Sequence, residues 1–295
     1  MDHRTFVAAL PAATRARLAA RADVPGLRRL ALHGGAILAL GVAIAVRVPG
    51  WPLLLPVQGV ALAFLFTLQH EATHKTPFAN PRLNEIVGHL AGVLIVQPFE
   101  WFRYFHLAHH RHTNDPERDP ELADGKPETW RAFLLHLSTI GYWRDKGAVL
   151  AANAFGRIDA DYVPDRARPR LRREARAMLA GYALAAVLAA TVAPWILTAW
   201  LLPLALGLPV LRLYLLAEHA RCPAVADMFA NTRTTFTTRL VRGLAWNMPY
   251  HAEHHALPSV PFHKLPELHA LARPHLQETE AGYARFAGRY TADLG

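Results

Sequence analysis

Two long apolar runs near the start of the chain constrain its fold more than any other feature. Leu30 to Val48 is almost wholly apolar and stops at Pro49-Gly50-Trp51-Pro52, and Leu53 to Gln69 is a second run that ends on His70. A helix needs roughly 20 apolar residues to cross the hydrocarbon of a bilayer, and each run with its edges is close to that. Joined by so short a break, the two read as a helical hairpin. Residues 178–195 and 196–217 form a second pair, with Pro194-Trp195 at the turn, where an aromatic ring suits the headgroup interface. Residues 86–99 are fewer and contain Gly88, His89, Gly92 and Gln97, which fits a re-entrant or interfacial segment. The expected class is an all-α integral membrane protein with four transmembrane helices, 30–48, 53–69, 178–195 and 196–217, in two hairpins.

Composition agrees. Hydrophobic residues make up 52% and charged residues 19%, against about 25% charged in a soluble globule. Mean hydropathy is only +0.10, so polar regions must balance the spans, and residues 99–176 and 218–295 supply them. The net charge of +9 is concentrated before the apolar runs: Arg15, Arg17, Arg21, Arg28 and Arg29 precede the first, and Arg166, Arg168, Arg170, Arg172, Arg173 and Arg176 precede the third. These arginines follow the positive-inside pattern and do not interleave with aromatics as a single-strand groove would, so no nucleic-acid partner is expected. Cys222 is the only cysteine, which excludes an intrachain disulfide and thiolate metal clusters within one chain. Met1 to Asp23 does not read as a secretory signal.

Two hairpins place the N-terminus, residues 99–176 and the C-terminal region on one side, with the arginines, so that side is expected to be cytoplasmic. Three histidine clusters fall there too, out of 17 histidines in the chain. His70 and His74 are spaced i, i+4; His106, His109 and His110 are spaced i, i+3, i+4; His251, His254 and His255 repeat that pattern. On helices each cluster would present a single face. Protonated together, such clusters repel, whereas neutral imidazoles gathered around a cation make sense of them. Eight imidazoles exceed what one tetrahedral zinc uses and suit two redox metals; iron suits best, because open positions on iron support oxygen chemistry. His70-Glu71-Ala72-Thr73-His74 is also a literal H-E-x-x-H, the zinc-protease signature with Glu71 as base. That reading leaves the other two clusters unexplained.

The order H-x3-H, H-x2-HH, H-x2-HH, with Trp101–Pro120 (WFRYFHLAHHRHTNDPERDP) and Asn247–Pro261 (NMPYHAEHHALPSVP), resembles the membrane fatty acid desaturase family, whose superfamily also contains hydroxylases and ketolases. The resemblance runs from about Leu53 to Leu271 and implies one membrane domain over residues 1–295, with a cytoplasmic helical cap holding a di-iron site. It carries the metal-ligand role onto His70, His74, His106, His109, His110, His251, His254 and His255. Members often add a ligand near the end of the last span, where His219 stands, and Asn247 is a weaker candidate for a ligand or supporting role. Ligating imidazoles usually pass their other N–H to a carboxylate or carbonyl; Glu71, Asp115, Asp119, Glu218 and Glu253 are near enough in sequence, with Asp119 and Glu253 foremost. Trp101, Phe102, Tyr104 and Phe105 are placed to help cover the metals.

The implied activity is dioxygen-dependent desaturation of a fatty acyl chain or related lipid, with two Fe ions and O2 as co-substrate. The alternative is hydroxylation or ketolation of a carotenoid, alkane or small lipid, and a membrane zinc protease is a remote third reading. No Gly-rich dinucleotide fingerprint is present, so a separate ferredoxin or cytochrome with its reductase is expected to deliver electrons. The expected location is a bacterial-type inner membrane with the metal site on the cytoplasmic side.

Overall fold

The computed structural model describes residues 1–123 and 125–295. Helices α1 (His3–Ala9) and α2 (Ala12–Leu18) lead into α3 (Asp23–Ala45), followed by α4 (Leu54–Ala63), α5 (Leu65–Thr73), α6 (Pro81–Leu94) and α7 (Phe99–His112). Then come α8 (Trp130–Leu137), α9 (Ile140–Ala154), α10 (Arg168–Thr191), a π-helical turn (Leu197–Leu201) and α11 (Leu202–His219). Short helices complete the chain: α12 (Met228–Asn231), α13 (Arg239–Leu244), α14 (His251–Ala256), α15 (Leu265–Ala272) and α16 (Tyr283–Ala292). The small parallel pairing of β1 (Thr234–Thr235) with β2 (Thr279–Glu280) ties the two ends of the C-terminal region together.

Among the described residues three segments are long and apolar enough to cross a membrane: Ala12–Ala45, Trp51–Thr73 and Leu197–His219. They cover the first, second and fourth expected crossings. The expected third, residues 178–195, is the C-terminal half of α10, a helix that opens on Arg168, Arg170, Arg172, Arg173 and Arg176 and ends at Thr191. Its apolar part is therefore shorter than hydropathy suggested, although Leu184, Val187 and Val192 remain exposed as on a lipid-facing surface.

Residues 86–99 are not one segment. Asn80 caps α6 by accepting from the Arg82 N–H, and Pro81 fills the first helical position, so the helix starts earlier than its apolar run. Val96 has φ 58° and turns the chain into α7. At 14 residues, α6 extends about 21 Å, short of the roughly 30 Å hydrocarbon core. Ile86 and Leu90 are exposed while Val87, Gly88, Ala91 and Gly92 are buried, as on an interfacial helix.

The helices that carry the site are fixed by close backbone approach and by buried amides. α4 packs along α11, where a Cβ added at Gly59 would lie 2.0 Å from the Pro203 carbonyl oxygen and one at Gly207 would lie 2.0 Å from Gly59. Small residues permit such contact where both helix surfaces are apolar. Gln69 and Gln97 exchange hydrogen bonds of 2.8 Å, one amide donating to the Gln97 carbonyl and the other to Gln69 Oε1, which joins α5 to the start of α7. Gly59→Ala is expected to destabilise the protein by about 1–3 kcal/mol through overpacking. Gly35→Ala, which meets nothing within 4 Å, should leave stability unchanged or slightly raised; thermal unfolding in detergent compares the two.

Candidate metal centre

Each histidine cluster sits at a helix end that the backbone then turns sharply. His70 lies in the last turn of α5 and His74 is its C-terminal cap, followed by Lys75 at φ 59°. α7 carries His106, His109 and His110, followed by Asn114 at φ 60°. His219 ends α11, followed by Arg221 at φ 59°, and Trp246 and Asn247, at φ 50° and 61°, precede α14 with His251, His254 and His255. Left-handed backbone at non-glycine residues costs of order 1–3 kcal/mol each and persists only where the surroundings enforce it.

These ends bring all nine histidines together in two adjoining groups. Ligand atoms of His70, His74, His106, His110 and His254 lie within 4.8 Å of one another, as do those of His109, His219 and His255. His251 joins the second group, its Nε2 being 3.1 Å from His219 Nε2. His70 and His74 share one group, whereas the second and third clusters each serve both. Successive helical residues point about 100° apart, so His109 and His110, like His254 and His255, send one ring to each group. Either group could hold a metal ion.

Hydrogen-bond chemistry supports a cation. Asp119 presents Oδ1 and Oδ2 at 2.9 and 3.0 Å to His109 Nδ1. Thr113 donates its hydroxyl to the His109 carbonyl at 2.8 Å, so at 3.1 Å it accepts from His255 Nδ1. The Asn231 carbonyl accepts from His219 Nδ1 at 3.3 Å. In each ring the proton is therefore on Nδ1 and the lone pair on Nε2. Yet His109 Nε2 and His219 Nε2 face each other at 3.2 Å, lone pair against lone pair when both rings are neutral. Both nitrogens of His70, His110 and His254, and Nε2 of His255, are buried without any partner. Buried polar groups left so are costly, and a shared cation resolves both the repulsion and the orphaned acceptors.

Electrostatics keep most of these rings neutral. Burial, then the charges of His70 and His74, hold His254 well below the ordinary imidazole value. Burial and neighbouring imidazoles do the same to His106, His110 and His255. Burial and His109 bring His74 to about 3. His109 differs: burial opposes its charge, but Glu121 and Asp119 outweigh burial and raise it.

The supporting residues depart in part from the sequence expectation. Asp119 contacts His109 as expected. Glu253, also expected beside a clustered histidine, is buried but bonds Thr234 and His269 instead. Asn247 donates its amide to the Phe262 carbonyl at 2.9 Å and no contact joins it to the imidazoles among the described residues; asparagine suits the left-handed turn it occupies. After Asp119, the carboxylates that approach the clustered rings are Glu218, 3.5 Å from His251 Nδ1, Glu121, 3.6 Å from His109 Nδ1, and Glu71, 3.7 Å from His254 Nδ1. Glu71 is fully buried and accepts from the Thr76 hydroxyl and the Phe262 N–H, at 2.8 and 3.1 Å, which is not the solvent-reaching base a protease requires. Thr113 and Asn231 carried no sequence signal, since they reach the rings only through the fold. Phe102 stacks on His106 at 5.4 Å and meets Phe66 at 5.3 Å with the rings tilted, which covers the first group.

A helical protein with three membrane-length apolar segments and a buried polyhistidine centre defines the class. The family model "Fatty acid desaturase" matches residues 49–287, and the chain belongs to that family. Among its relatives, it is 31% identical over 114 residues to sn-1 oleoyl-lipid 12-desaturase of Picosynechococcus sp., a match covering 35% of this chain and 33% of that protein. It is 31% identical over 137 residues to the chloroplastic omega-3 fatty acid desaturase of Brassica napus, covering 43% of this chain and 33% of the relative. Over 137 residues it is 30% identical to the chloroplastic sn-2 acyl-lipid omega-3 desaturase (ferredoxin) of Arabidopsis thaliana, covering 43% of this chain and 30% of the relative. In each case the match spans about a third of the relative's length.

Asp119→Asn should preserve shape while loosening the hold on His109. Metal affinity is expected to fall about 10- to 100-fold, read as metal retained after dialysis against a chelator, with the far-ultraviolet circular dichroism unchanged.

Proposed function

We propose that this chain catalyses oxygen-dependent desaturation of a fatty acyl chain carried by a lipid, at a centre of two iron ions. One iron would be held among His70, His74, His106, His110 and His254, the other among His109, His219, His251 and His255. The observation that carries this reading is the set of buried, mutually facing imidazole lone pairs, divided into two groups. Once bound, the irons supply the activation of O2 and the removal of hydrogen from an unactivated C–H bond. The chain's own contribution is orientation and exclusion. Asp119, Thr113 and the Asn231 carbonyl fix the rings through Nδ1, and Phe66 and Phe102 keep water from the first group.

The same proposal takes residues 1–295 as one membrane domain and lets α10 enter the bilayer beside the three apolar segments, giving four spans in two hairpins. The histidine groups then lie on the arginine-bearing side, cytoplasmic in a bacterial-type inner membrane. Electrons would come from a separate ferredoxin or cytochrome with its reductase. A ferredoxin is consistent with the name of the Arabidopsis relative.

Metal analysis of purified protein is expected to give two irons per chain and a loss of both iron and activity in His254→Ala. Incubation with acyl lipid and reductant under air should yield a product lighter by a pair of hydrogens, and none without oxygen. A product heavier by one oxygen would make the enzyme a hydroxylase. One zinc per chain, with activity retained in His254→Ala, would overturn the di-iron reading.

A further inference from the structure

A cavity of about 700 Å³ lies between α6, the start of α7 and the middle of α10, with Trp200 in its wall. That volume is within the roughly 300–1,000 Å³ typical of ligand sites. Among the described residues none of the nine clustered histidines lines it, so it is separate from the metal centre. One end is charged, with His89, Glu100, Arg170, Arg173 and Glu174; the other is apolar, with Val93, Leu94, Met178, Tyr182 and Ala185. Ile86 and Leu90 on α6 and Leu184 and Val187 on α10 are exposed on its flanks, as residues facing hydrocarbon would be.

Charge at the polar end is unevenly spent. Glu174 accepts from the Phe99 and Glu100 N–H groups at 2.8 and 2.9 Å and contacts His89 Nδ1 at 2.8 Å. Glu100 bonds Arg170, and Glu85 bonds Arg103 at 2.7 Å. Glu85, His89 and Glu100 are close enough to suggest a cation site, but Arg103 and Arg170 already occupy these carboxylates. The exposed groups left over are arginine donors. Arg173 is exposed and has no partner among the described residues, and the Arg170 side chain is 52% exposed with donors to spare. At the apolar end Gly181 lines the cavity in mid-helix, and a Cβ there would meet nothing within 4 Å. Glycine inside a helix is unfavourable, and here it leaves room for a chain to lie against α10.

We propose that this cavity binds an anionic phospholipid, with its phosphate on Arg170 and Arg173 and one acyl chain along Met178, Gly181 and Ala185. Arginine suits a phosphate through its forked donors, and basic residues at the end of an apolar segment attract anionic headgroups. The bound lipid is a resident of the membrane face and does not reach the histidines.

Native mass spectrometry of the detergent-purified protein, mixed with phosphatidylglycerol or with phosphatidylcholine of the same chains, tests this. The wild-type chain should retain one phosphatidylglycerol, with occupancy about tenfold above that of phosphatidylcholine, whose choline cation cancels the phosphate charge and is repelled by the arginines. Arg173→Gln should abolish that preference while still retaining lipid. Gly181→Leu should lose both lipids, its thermal unfolding midpoint showing that it remains folded. Equal retention of the two lipids by the wild-type chain, a preference undiminished in Arg173→Gln, or wild-type retention in folded Gly181→Leu would each overturn the proposal.

Discussion

The structure depends on the burial of imidazoles, most of them, though not His109, held toward the neutral form, whose ring nitrogens face one another. Asp119, Thr113 and the Asn231 carbonyl commit the protons of His109, His255 and His219 to Nδ1. Their Nε2 atoms are gathered away from water beside the unpartnered rings of His70, His110 and His254. Those of His70, His110, His254 and His255 have no hydrogen-bond partner among the described residues, so the arrangement is unfavourable until a cation is shared. The rest of the fold can be read as the means of holding these rings in place against that repulsion.

Several restraints combine to do so. The Gly59–Gly207 approach fixes α4 against α11, and therefore the height of His219 relative to α5. The reciprocal bonds of Gln69 and Gln97 set α5 against α7. Left-handed residues after His74, His112 and His219 and before His251 redirect the chain where each histidine-bearing helix ends. Each such turn costs backbone energy, and each is offset by packing around it, as with Trp246, which is fully buried and donates to His33 Nδ1 at 3.1 Å. The strain is concentrated where precision in ring placement is needed.

The membrane and the metal centre impose different demands on neighbouring residues. α10 begins as a basic helix and ends as an apolar one, which shortens its hydrophobic stretch but brings Arg170 and Arg173 to the edge of the bilayer face. α6 is too short to cross and instead lies with Ile86 and Leu90 outward and its small residues against α5. The amphiphilic cavity between them follows from that mismatch in length. It sits beside the helix that carries the second histidine cluster without sharing any of its rings.

Much was legible in the sequence because it depends on local periodicity. Helical spacing alone put each histidine cluster on a helix, and the apolar runs located three membrane-length segments. His219 was singled out by the family resemblance, which implies a further ligand near the end of the last span, and Asp119 by its closeness to the second cluster. Tertiary structure decided what local spacing cannot encode. It divided each His-His pair between two groups, since the angle between successive helical residues matters only when there are two points to reach. It turned Glu253 to His269 and gave Asn247 a place in a turn, and it brought in Thr113, from within the second motif, and Asn231, from a segment that carries none. Sequence determined which residues could serve a metal and on which helices they stand; only the packing of those helices decided which nitrogens meet, because distance between segments is a property of the fold.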